Sequence, residues 1–533
     1  MSSTSKRKVA LVFTGAVSLG SFEAGVAYEI VKHILEKQEP ELEVDVIVGT
    51  SAGALTGALA AMALVFGLDP SALEESWLSV RLDDLLRLNP GDRSILSSSK
   101  VENLIAKYLD PQLAQKQAVN SNGRREVKLA IVVTNLDGMK YDIHRTKNEE
   151  FSISAIGYED AIKFCIKPGF NEWERLRSAV RASSAYPGAF EHKKIMRTDN
   201  EFSRTAKYNF TGTQERYFHY SDGGIVNNQP LNKAIEIVND LTYDRSGEGY
   251  ERLFLVIDPA PPSASLSGHD YKVFDVISKA LWTIPRNQTL YKDLLFLEKV
   301  NRRIRWKNSF ISAVTDMWNC CSITDEHRKS LEQLSKEVAD FKGRTMLGVD
   351  YDRYMKFEEE RIRTSYRDEI NRVNNRDLFV KYCFLMEHVA DLRNKQEVSV
   401  EMIRPQDAEQ ELAGEIFGNF GGFLDSGFMK HDYNVGRTYA RRWLKKENEM
   451  NRLVSFNEQE LSPRVRFRIF QKMLDNAVPL LMEDIGPRLF LGNGALRPDL
   501  GMFTLAGMVS VSMVRYVVNK TVGLAKQMVF GKK

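Results

Sequence analysis

The sequence is poor in cysteine and contains no long hydrophobic segment. Its 533 residues include four cysteines, which show neither C-x-x-C spacing nor a disulfide framework and so favour a reducing compartment. No segment reaches the roughly twenty apolar residues that a membrane-spanning helix needs. Residues 6–8 are basic and precede an apolar run, but residues 9–13 are too few for the core of a signal peptide. We therefore expect a cytoplasmic protein without a signal peptide or a transmembrane helix.

The sequence also lacks a strong charge of either sign. The formal net charge is +3, which is too small to indicate nucleic acid or an acidic substrate as a partner. Hydrophobic residues make up 43% of the chain and charged residues 27%, as in soluble globular proteins. The length exceeds that of one ordinary domain and predicts two or three.

A serine motif is the most informative feature that the sequence does contain. Residues 44–48 are mostly β-branched and apolar, as in a buried strand, and residues 52–68 are small, apolar and too numerous for a strand. Between them stands Gly49-Thr50-Ser51-Ala52-Gly53, a G-x-S-x-G. In a nucleophile elbow the serine is held in a strained turn from strand to helix, and glycines are needed two residues before and after it. We predict that Ser51 is a nucleophile beside a helix N-terminus, which favours negative charge; a glycine-rich packing turn is the alternative.

A second glycine-containing loop connects the first predicted strand to a helix predicted over residues 22–36. This loop, residues 14–21, presents several unpaired N–H groups together, as in an anion-binding concavity. Ser21-Phe22 stand where a P-loop requires Lys-Ser/Thr, and Ala16-Val17 interrupt a dinucleotide-binding G-x-G-x-x-G. An oxyanion hole needs only backbone donors near the serine, and the next strand carries Ser51. We therefore predict an oxyanion hole, with an inert helix-start turn as the alternative.

The histidines are poorly placed for a catalytic triad. Of the eight histidines, His33, His327 and His388 lie in predicted helices, where packing or surface roles are expected. His192 and His219 lie among the predicted strands, but neither follows the end of a strand as a triad histidine does. These two stay open as minor candidates for the base.

Asp222 is better placed to serve as the base. It ends the strand predicted over residues 217–221, where open α/β sheets carry functional groups, and two glycines follow it. A carboxylate that is hydrogen-bonded directly to the serine can accept its proton if the cleft keeps that carboxylate poorly solvated. The alternative is that Asp222 only caps the turn.

The rest of the first half predicts strands that alternate with helices. A strand over residues 128–134, the turn Asp137-Gly138 and a return over residues 141–144 predict a hairpin. A helix over residues 173–184 and a buried strand over residues 252–257 follow. This alternation predicts a mainly parallel sheet with helices on both faces.

Beyond a loop at residues 258–267, the sequence predicts helices with charged faces and no strands. Residues 302–307 and 441–446 are basic patches beside aromatic residues. They predict solvated helix faces, with attraction to lipid head groups as the alternative. The apolar segment 502–518 is interrupted by Arg515 and too short to span a bilayer, so a buried packing helix is favoured over an interfacial one.

Three motifs in this order resemble those of the patatin-like phospholipases. They are the loop of residues 15–20, the G-x-S-x-G of residues 49–53 and Asp222-Gly223-Gly224. The family's corresponding motifs are G-G-G-x-R/K-G, G-x-S-x-G and D-G-[GA]. Segments 182–187 and 228–230 also resemble the family, so the similarity covers roughly residues 7–260.

The sequence pattern and the resemblance together imply a three-layer, patatin-like α/β hydrolase-type core with a mainly parallel sheet. This catalytic domain is expected over residues 1–300, followed by a mainly α-helical domain over residues 301–533. The resemblance implies a Ser51–Asp222 dyad that needs neither a metal nor another cofactor. The implied oxyanion donors are the backbone N–H groups of Gly15, Ala16, Val17 and Ala52. The implied motif glycines are Gly20, Gly49, Gly53, Gly223 and Gly224.

The loop departs from the family pattern. Ala16 and Val17 replace the second and third glycines, which narrows the allowed backbone conformations, and Leu19 replaces the usual Arg or Lys. The G-A-V-S-L-G form resembles a bacterial patatin-related subgroup with a large helical C-terminal region, in which Asp-Tyr-x-x-Gly-Arg recurs. Residues 432–437 match that motif.

We therefore predict a lipid acyl hydrolase that acts on phospholipids or related lipid esters at a membrane surface. Peripheral membrane association and a homo-oligomer are compatible with this prediction, and nucleic acid is not an expected partner. The alternative is a lipid- or protein-binding scaffold with a vestigial elbow, which Leu19 favours and the intact Ser51 and Asp222 oppose. A nucleotide-binding protein is a third hypothesis, disfavoured by the missing P-loop lysine.

Overall fold

The computed structural model describes the chain as two compact units. One contains the described residues of Lys8–Ala234, Phe254–Leu290 and 400–445, and the other contains Arg7 and the described residues of Ile235–Leu253 and Tyr291–Ser399. The predicted domains, residues 1–300 and 301–533, stay a prediction. The structure describes residues 7–36, 42–86, 94, 96–118, 126–144, 152–187, 189–202, 210, 214–244, 251–259, 276, 284–320, 324–342, 350–390, 392–393, 397–406, 411–415 and 419–445.

Eight strands occur in these residues. They are β1 (Arg7–Phe13), β2 (Leu42–Thr50), β3 (Val127–His144), β4 (Ser152–Ile166), β5 (Lys193–Thr198), β6 (Glu215–Asp222), β7 (Glu251–Ile257) and β8 (Ser399–Ile403). They form one sheet in the order β5-β6-β3-β2-β1-β7-β8, with β4 paired to β3. β2 runs parallel to β3, whereas the pairs β3–β4, β3–β6 and β5–β6 are antiparallel. The sheet is therefore mixed.

Helices alternate with the strands in the first half of the chain and are the main elements in the second half of the described residues. They are α1 (Gly20–Glu36), α2 (Ala52–Phe66), α3 (Ser71–Leu78), α4 (Leu82–Leu86), α5 (Ser99–Tyr108), α6 (Pro111–Ala118), α7 (Trp173–Ser183), α8 (Leu231–Asp244), α9 (Ile284–Trp318), α10 (Asp325–Lys342), α11 (Tyr351–Ser365), α12 (Arg367–Arg372), α13 (Arg376–Val389) and α14 (Ser426–Leu444). The predicted α/β class and the helical character of the later sequence are confirmed.

The centre of the sheet unit is built from β1, β2 and the two helices that follow them. Every residue of α2 is buried, as its small, apolar sequence predicts, and α1 buries Phe22, Val26 and Ile30. Burying one such large apolar side chain contributes about 1.5–3 kcal/mol. The turns that connect these strands to their helices are therefore anchored at both ends in the core.

The hairpin predicted at Asp137-Gly138 is wrong, because β3 continues through these residues to His144. The pairing of β3 with β4 shifts register between Thr134 and Met139, and Gly138 has a φ of 73°. The Asn135 Oδ1 accepts hydrogen bonds from the N–H groups of Asp137 (3.0 Å) and Gly138 (3.2 Å). Asp-Gly here produces a β-bulge, which uses the same positive φ as a tight turn.

The expectation of no strand after residue 267 is also wrong. β8 is five residues long and lies at the edge of the sheet beside β7. The Ile403 carbonyl accepts a hydrogen bond from the N–H of Asp258 over 3.1 Å. A strand this short carries little sequence signal, since its formation depends on a partner that lies far away in the chain.

The second unit has its own hydrophobic core. This core includes Tyr354, Ile362, Phe379, Val380 and Phe384, all buried, from α11 and α13. Apolar side chains at helical spacing explain why these helices pack together.

The predicted basic patch of residues 302–307 is only partly a solvated face. Arg302, Arg303 and Arg305 are exposed, but Lys307 is buried. The Lys307 Nζ lies 3.3 Å from a carboxylate oxygen of Glu387. A buried cation needs such a partner because burial removes its hydration.

Some predictions lie outside the described residues, namely the segment 502–518, Lys446 and the loop from residue 260 to residue 267. Within the residues that the structure does describe, no helix combines the length and the apolar character needed to cross a membrane.

Candidate active site

Ser51 lies in the sharp turn between β2 and α2. Its backbone has φ 55° and ψ −120°, and such a conformation costs a residue with a side chain about 1–3 kcal/mol. A Cβ added to Gly49 would lie 2.3 Å from the Gly53 carbonyl oxygen, and one added to Gly53 would lie 2.6 Å from the Thr14 carbonyl oxygen. The structure thus has the strained turn, and the need for glycine at both positions, that the sequence predicts.

The register of the sheet brings Ser51 and Asp222 together. Thr50, which ends β2, pairs with Val132 of β3, and Asp222, which ends β6, pairs with the adjacent Val133. The Ser51 hydroxyl donates a hydrogen bond to Asp222 Oδ2 over 2.6 Å. A hydroxyl and a carboxylate from two strand ends are therefore in direct contact.

Three further hydrogen bonds hold Asp222 in place. Its N–H donates to the Ala185 carbonyl over 3.0 Å, and its carbonyl accepts from the Thr134 hydroxyl over 2.8 Å. Its Oδ1 accepts from the Gly224 N–H over 2.7 Å, so Asp222 also caps the 3-10 turn Gly223–Ile225. Capping uses one carboxylate oxygen and contact with Ser51 uses the other, so the two roles are compatible.

Burial sets the electrostatic state of Asp222. The residue is 3% exposed, and burial raises the pKa of its carboxyl from 3.8 to about 6, against the opposing effects of the hydrogen bonds from Ser51 and Gly224. At neutral pH this group is ionised, yet it is more basic than a solvated aspartate. Those are the properties that a base acting on a serine hydroxyl requires.

The loop between β1 and α1 has a strained backbone. Residues Val17–Leu19 form a 3-10 turn, and Val17 has a φ of 54°. A positive φ is rare for a β-branched residue and costs about 1–3 kcal/mol. Val17 thus adopts the left-handed backbone that glycine adopts without strain.

The four predicted oxyanion donors differ in their surroundings. The Gly15 N–H donates to the Asn228 carbonyl over 3.0 Å, so it is occupied in this geometry. Ala16 and Val17 stand at the start of the 3-10 turn, and Ala52 is the first residue of α2. The first N–H groups of a helix have no acceptor within that helix. Ala16, Val17 and Ala52 therefore stay the predicted donors.

The other motif glycines lie against groups that leave no room for a side chain. A Cβ added to Gly20 would lie 2.2 Å from the Trp77 ring, and one added to Gly223 would lie 2.3 Å from the Val132 carbonyl oxygen. A Cβ added to Gly224 would lie 2.6 Å from Asn228 Oδ1. These glycines allow the loops around Ser51 and Asp222 to approach closely.

Comparison with known proteins identifies this part of the chain. No curated protein sequence matches it, but the family model described as patatin-like phospholipase matches residues 11–235. These residues form a patatin-like phospholipase domain. The predicted resemblance is thereby confirmed for residues 11–235, and this domain match supports a lipid acyl hydrolase in general.

A solved structure also matches the chain that contains this patatin-like domain. It is the crystal structure of VipD from Legionella pneumophila, with 11% sequence identity and a TM-score of 0.22. The match covers 82% of this chain and 92% of that one. A TM-score this low gives no basis for assigning a property of that protein to this chain.

Ser183 and Asn228 support the site of the patatin-like domain in ways that sequence reasoning missed. The Ser183 hydroxyl donates to the Val132 carbonyl over 2.6 Å and accepts from the Ser51 N–H over 2.8 Å. Asn228 makes two hydrogen bonds with Gly15. Its carbonyl accepts from the Gly15 N–H and its side chain donates to the Gly15 carbonyl, each over 3.0 Å. The only sequence signal was that both residues lie in segments that resemble the family.

Ser183→Ala is expected to destabilise the folded protein by about 2 kcal/mol, because it leaves the buried Ser51 N–H without its acceptor. We also expect slower hydrolysis, about tenfold, since that N–H fixes the elbow. Urea unfolding and an esterase assay would measure the two effects. Ser184→Ala is the matched control, because its hydroxyl makes only a long 3.5 Å contact with the Ser51 carbonyl. Equal behaviour of the two variants would contradict the role of Ser183.

The two histidines that were left open as bases contact other groups. His219 Nδ1 lies 3.1 Å from Asp137 Oδ2, and its side chain is 41% exposed. The His192 and His219 rings are 5.4 Å apart. His33, His327 and His388 lie in α1, α10 and α13, as predicted. The contact that the structure gives Ser51 Oγ is with Asp222.

In the part of the chain that the structure describes, no group of three or more His, Cys, Asp or Glu side chains is placed to hold a metal ion.

Proposed function

We propose that the protein is a serine lipid acyl hydrolase of the phospholipase A type, which cleaves carboxylic esters of phospholipids or related lipids. The observation that carries this proposal is the 2.6 Å hydrogen bond from the hydroxyl of Ser51, whose backbone is strained, to the buried Asp222 carboxylate. The match of residues 11–235 to the patatin-like phospholipase family model supports the substrate class.

In the proposed first step, Ser51 Oγ attacks the ester carbonyl carbon while its proton passes to Asp222 Oδ2. The carbonyl oxygen becomes an oxyanion, which the N–H groups of Ala16, Val17 and Ala52 stabilise as donors. The tetrahedral intermediate collapses, the C–O bond to the leaving group breaks, and Asp222 gives its proton to the departing alkoxide. The products are a lysolipid and an acyl group bound to Ser51.

In the second step, water replaces the leaving group. Asp222 accepts a proton from the water as its oxygen attacks the acyl carbon, and the oxyanion forms at the same place. When the intermediate collapses, the proton returns to Ser51 Oγ and the fatty acid leaves. One carboxylate thus serves as base and acid in both halves without a histidine.

The proposal is tested by the release of fatty acid from mixed phospholipid vesicles by the full chain, followed by mass spectrometry. We expect free fatty acid and matching lysolipid to appear together in equal amounts. If neither free fatty acid nor lysolipid appears with any lipid composition, the result would contradict the proposal and favour a scaffold with a vestigial elbow.

Hydrolysis is expected to decline in acid with a midpoint near pH 6. Below the pKa of about 6 that burial gives Asp222, the carboxyl is protonated and cannot accept the Ser51 proton, so kcat/KM should fall about tenfold between pH 7 and pH 5. An uncharged fatty-acid ester as substrate removes lipid titration from the profile. A midpoint near pH 4, as for a solvated aspartate, would show that Asp222 is not buried in the working enzyme.

A further inference from the structure

The oxyanion loop, residues 15–19, needs support from outside itself. Val17 has a φ of 54°, and a conformation strained in this way persists only where surrounding contacts hold it. Leu19, two residues further along the loop, is fully buried. Contacts that hold Ser18 and Leu19 come from residues about 400 positions later in the chain.

Ser18 connects the loop to the 3-10 turn Gly421–Leu424. Its hydroxyl donates to the Asn419 carbonyl and accepts from the Gly422 N–H over 3.0 Å. Ser18 is 0% exposed, so this hydroxyl is satisfied as donor and as acceptor without water. A Cβ added to Gly422 would lie 2.7 Å from the Ser18 oxygen, so glycine is what allows the approach.

Leu19 meets a second part of the same region. A Cβ added to Gly414 would lie 3.0 Å from Leu19 Cδ2. Gly414 is itself fixed by Asp432 of α14, whose carboxylate accepts from the N–H groups of Ala413 over 2.7 Å and Gly414 over 2.9 Å. Loop residues 18 and 19 therefore lie against two different turns, Gly421–Leu424 and Ala413–Glu415.

The helix that supports these turns is fixed to the helix that follows the loop. α14 crosses α1 at Gly25 and Gly436, where an added Cβ would lie 2.0 Å and 2.1 Å from backbone carbonyl oxygens of the other helix. The Arg437 Nε donates to Glu29 Oε1 over 2.6 Å. The loop, α1, α14 and residues 411–415 and 419–424 thus form one packed assembly within the sheet unit.

We propose that Ser18 is a positioning residue and that residues 411–415 and 419–424 hold the oxyanion loop in its working conformation. This inference rests on the proposed function. These residues support the loop with neutral hydrogen bonds to Ser18 and apolar packing against Leu19. Without this support the Ala16 and Val17 N–H groups lose their fixed direction, which weakens transition-state stabilisation more than substrate binding.

Ser18→Ala in the full chain tests this inference, with Ser76→Ala as the matched control. Ser76 is also 0% exposed, but its hydroxyl donates to Leu73 within its own helix. We expect Ser18→Ala to lower kcat about 10- to 100-fold with KM changed less than about threefold. We also expect the backbone N–H groups of residues 15–19 to exchange with deuterium at least about tenfold faster. Ser76→Ala should leave kcat and this exchange unchanged.

Each outcome decides the inference. Unchanged exchange in Ser18→Ala would overturn the anchoring role, and faster exchange with an unchanged kcat would overturn the positioning role. If the wild type shows no hydrolysis, the proposed function fails separately. The exchange measurement then still decides whether Ser18 anchors the loop.

Discussion

Asp222→Asn is expected to abolish ester hydrolysis and, at the same time, to stabilise the folded protein above pH 6. Asn keeps the shape and can still accept from the Gly224 N–H, but it cannot take the Ser51 proton. We expect a loss of at least about 10³-fold in kcat/KM, since both steps use the same base. Fatty-acid release from vesicles measures this loss.

The stability gain follows from the direction of the pKa shift. Burial raises the Asp222 pKa from 3.8 to about 6, so the folded state binds the proton more tightly than the unfolded state. The free energy of unfolding therefore falls as pH rises from about 4 to about 6, by about 3 kcal/mol. A neutral Asn avoids this cost, so urea unfolding at pH 8 should show a gain of up to about 3 kcal/mol, and the gain should shrink towards pH 4.

Asp137→Asn is the matched control for this prediction. Its carboxylate contacts His219 on an exposed part of the sheet, so its removal should leave both hydrolysis and stability close to those of the wild type. An Asp222→Asn variant that is inactive and also less stable at pH 8 would indicate lost structure rather than lost chemistry. A fully active variant would exclude Asp222 as the base.

Gly436→Ala is expected to destabilise the protein by about 3 kcal/mol or more. The added Cβ would lie 2.1 Å from the Phe22 carbonyl oxygen, which belongs to the backbone and cannot rotate away. α1 and α14 must then move apart, and overpacking of this kind commonly costs about 1–3 kcal/mol and more where backbone is involved. The urea midpoint of the full chain measures the loss.

Gly427→Ala separates this crossing effect from the general effect of replacing a helical glycine. Gly427 lies in the first turn of the same helix, and its added Cβ would lie 3.0 Å from the Asp425 side chain, which can adjust. Alanine favours a helix by about 1 kcal/mol over glycine, so Gly427→Ala should be neutral or slightly stabilising. Similar losses in the two variants would contradict the close crossing of α1 and α14.

The features that the sequence predicts well are those with local causes. The strand, turn and helix around Ser51 are specified by the lengths of the two apolar segments and by the two glycines of the turn. The structure has that turn, with φ 55° at Ser51. The placement of Asp222 at the end of a strand is equally local. Their meeting at 2.6 Å depends on the order of the strands, which the alternation of strands and helices limits only in part.

The wrong predictions arose where one local pattern fits two structures. Asp137-Gly138 supplies a positive φ that suits either a turn or a bulge, and the length of β3 beyond it decides for the bulge. β8 needs β7 as a partner, which no pattern within its five residues reveals.

The support of the site was also beyond the reach of sequence reasoning. Ser183 and Ser18 are ordinary serines in the sequence. Their roles come from partners 132 and 404 positions away in the chain, and contacts at such separations follow from the fold rather than from spacing.

The proposed nucleophile is tested most directly by labelling the full chain with a long-chain alkyl fluorophosphonate and mapping the modified residue by mass spectrometry. Attack by the nucleophilic serine on phosphorus forms a stable phosphonyl ester and releases fluoride. We expect one adduct, on Ser51, which is absent in Ser51→Ala and forms much more slowly in Asp222→Asn. An unmodified Ser51, or the same labelling in Ser51→Ala, would contradict the proposal that Ser51 and Asp222 form the catalytic dyad.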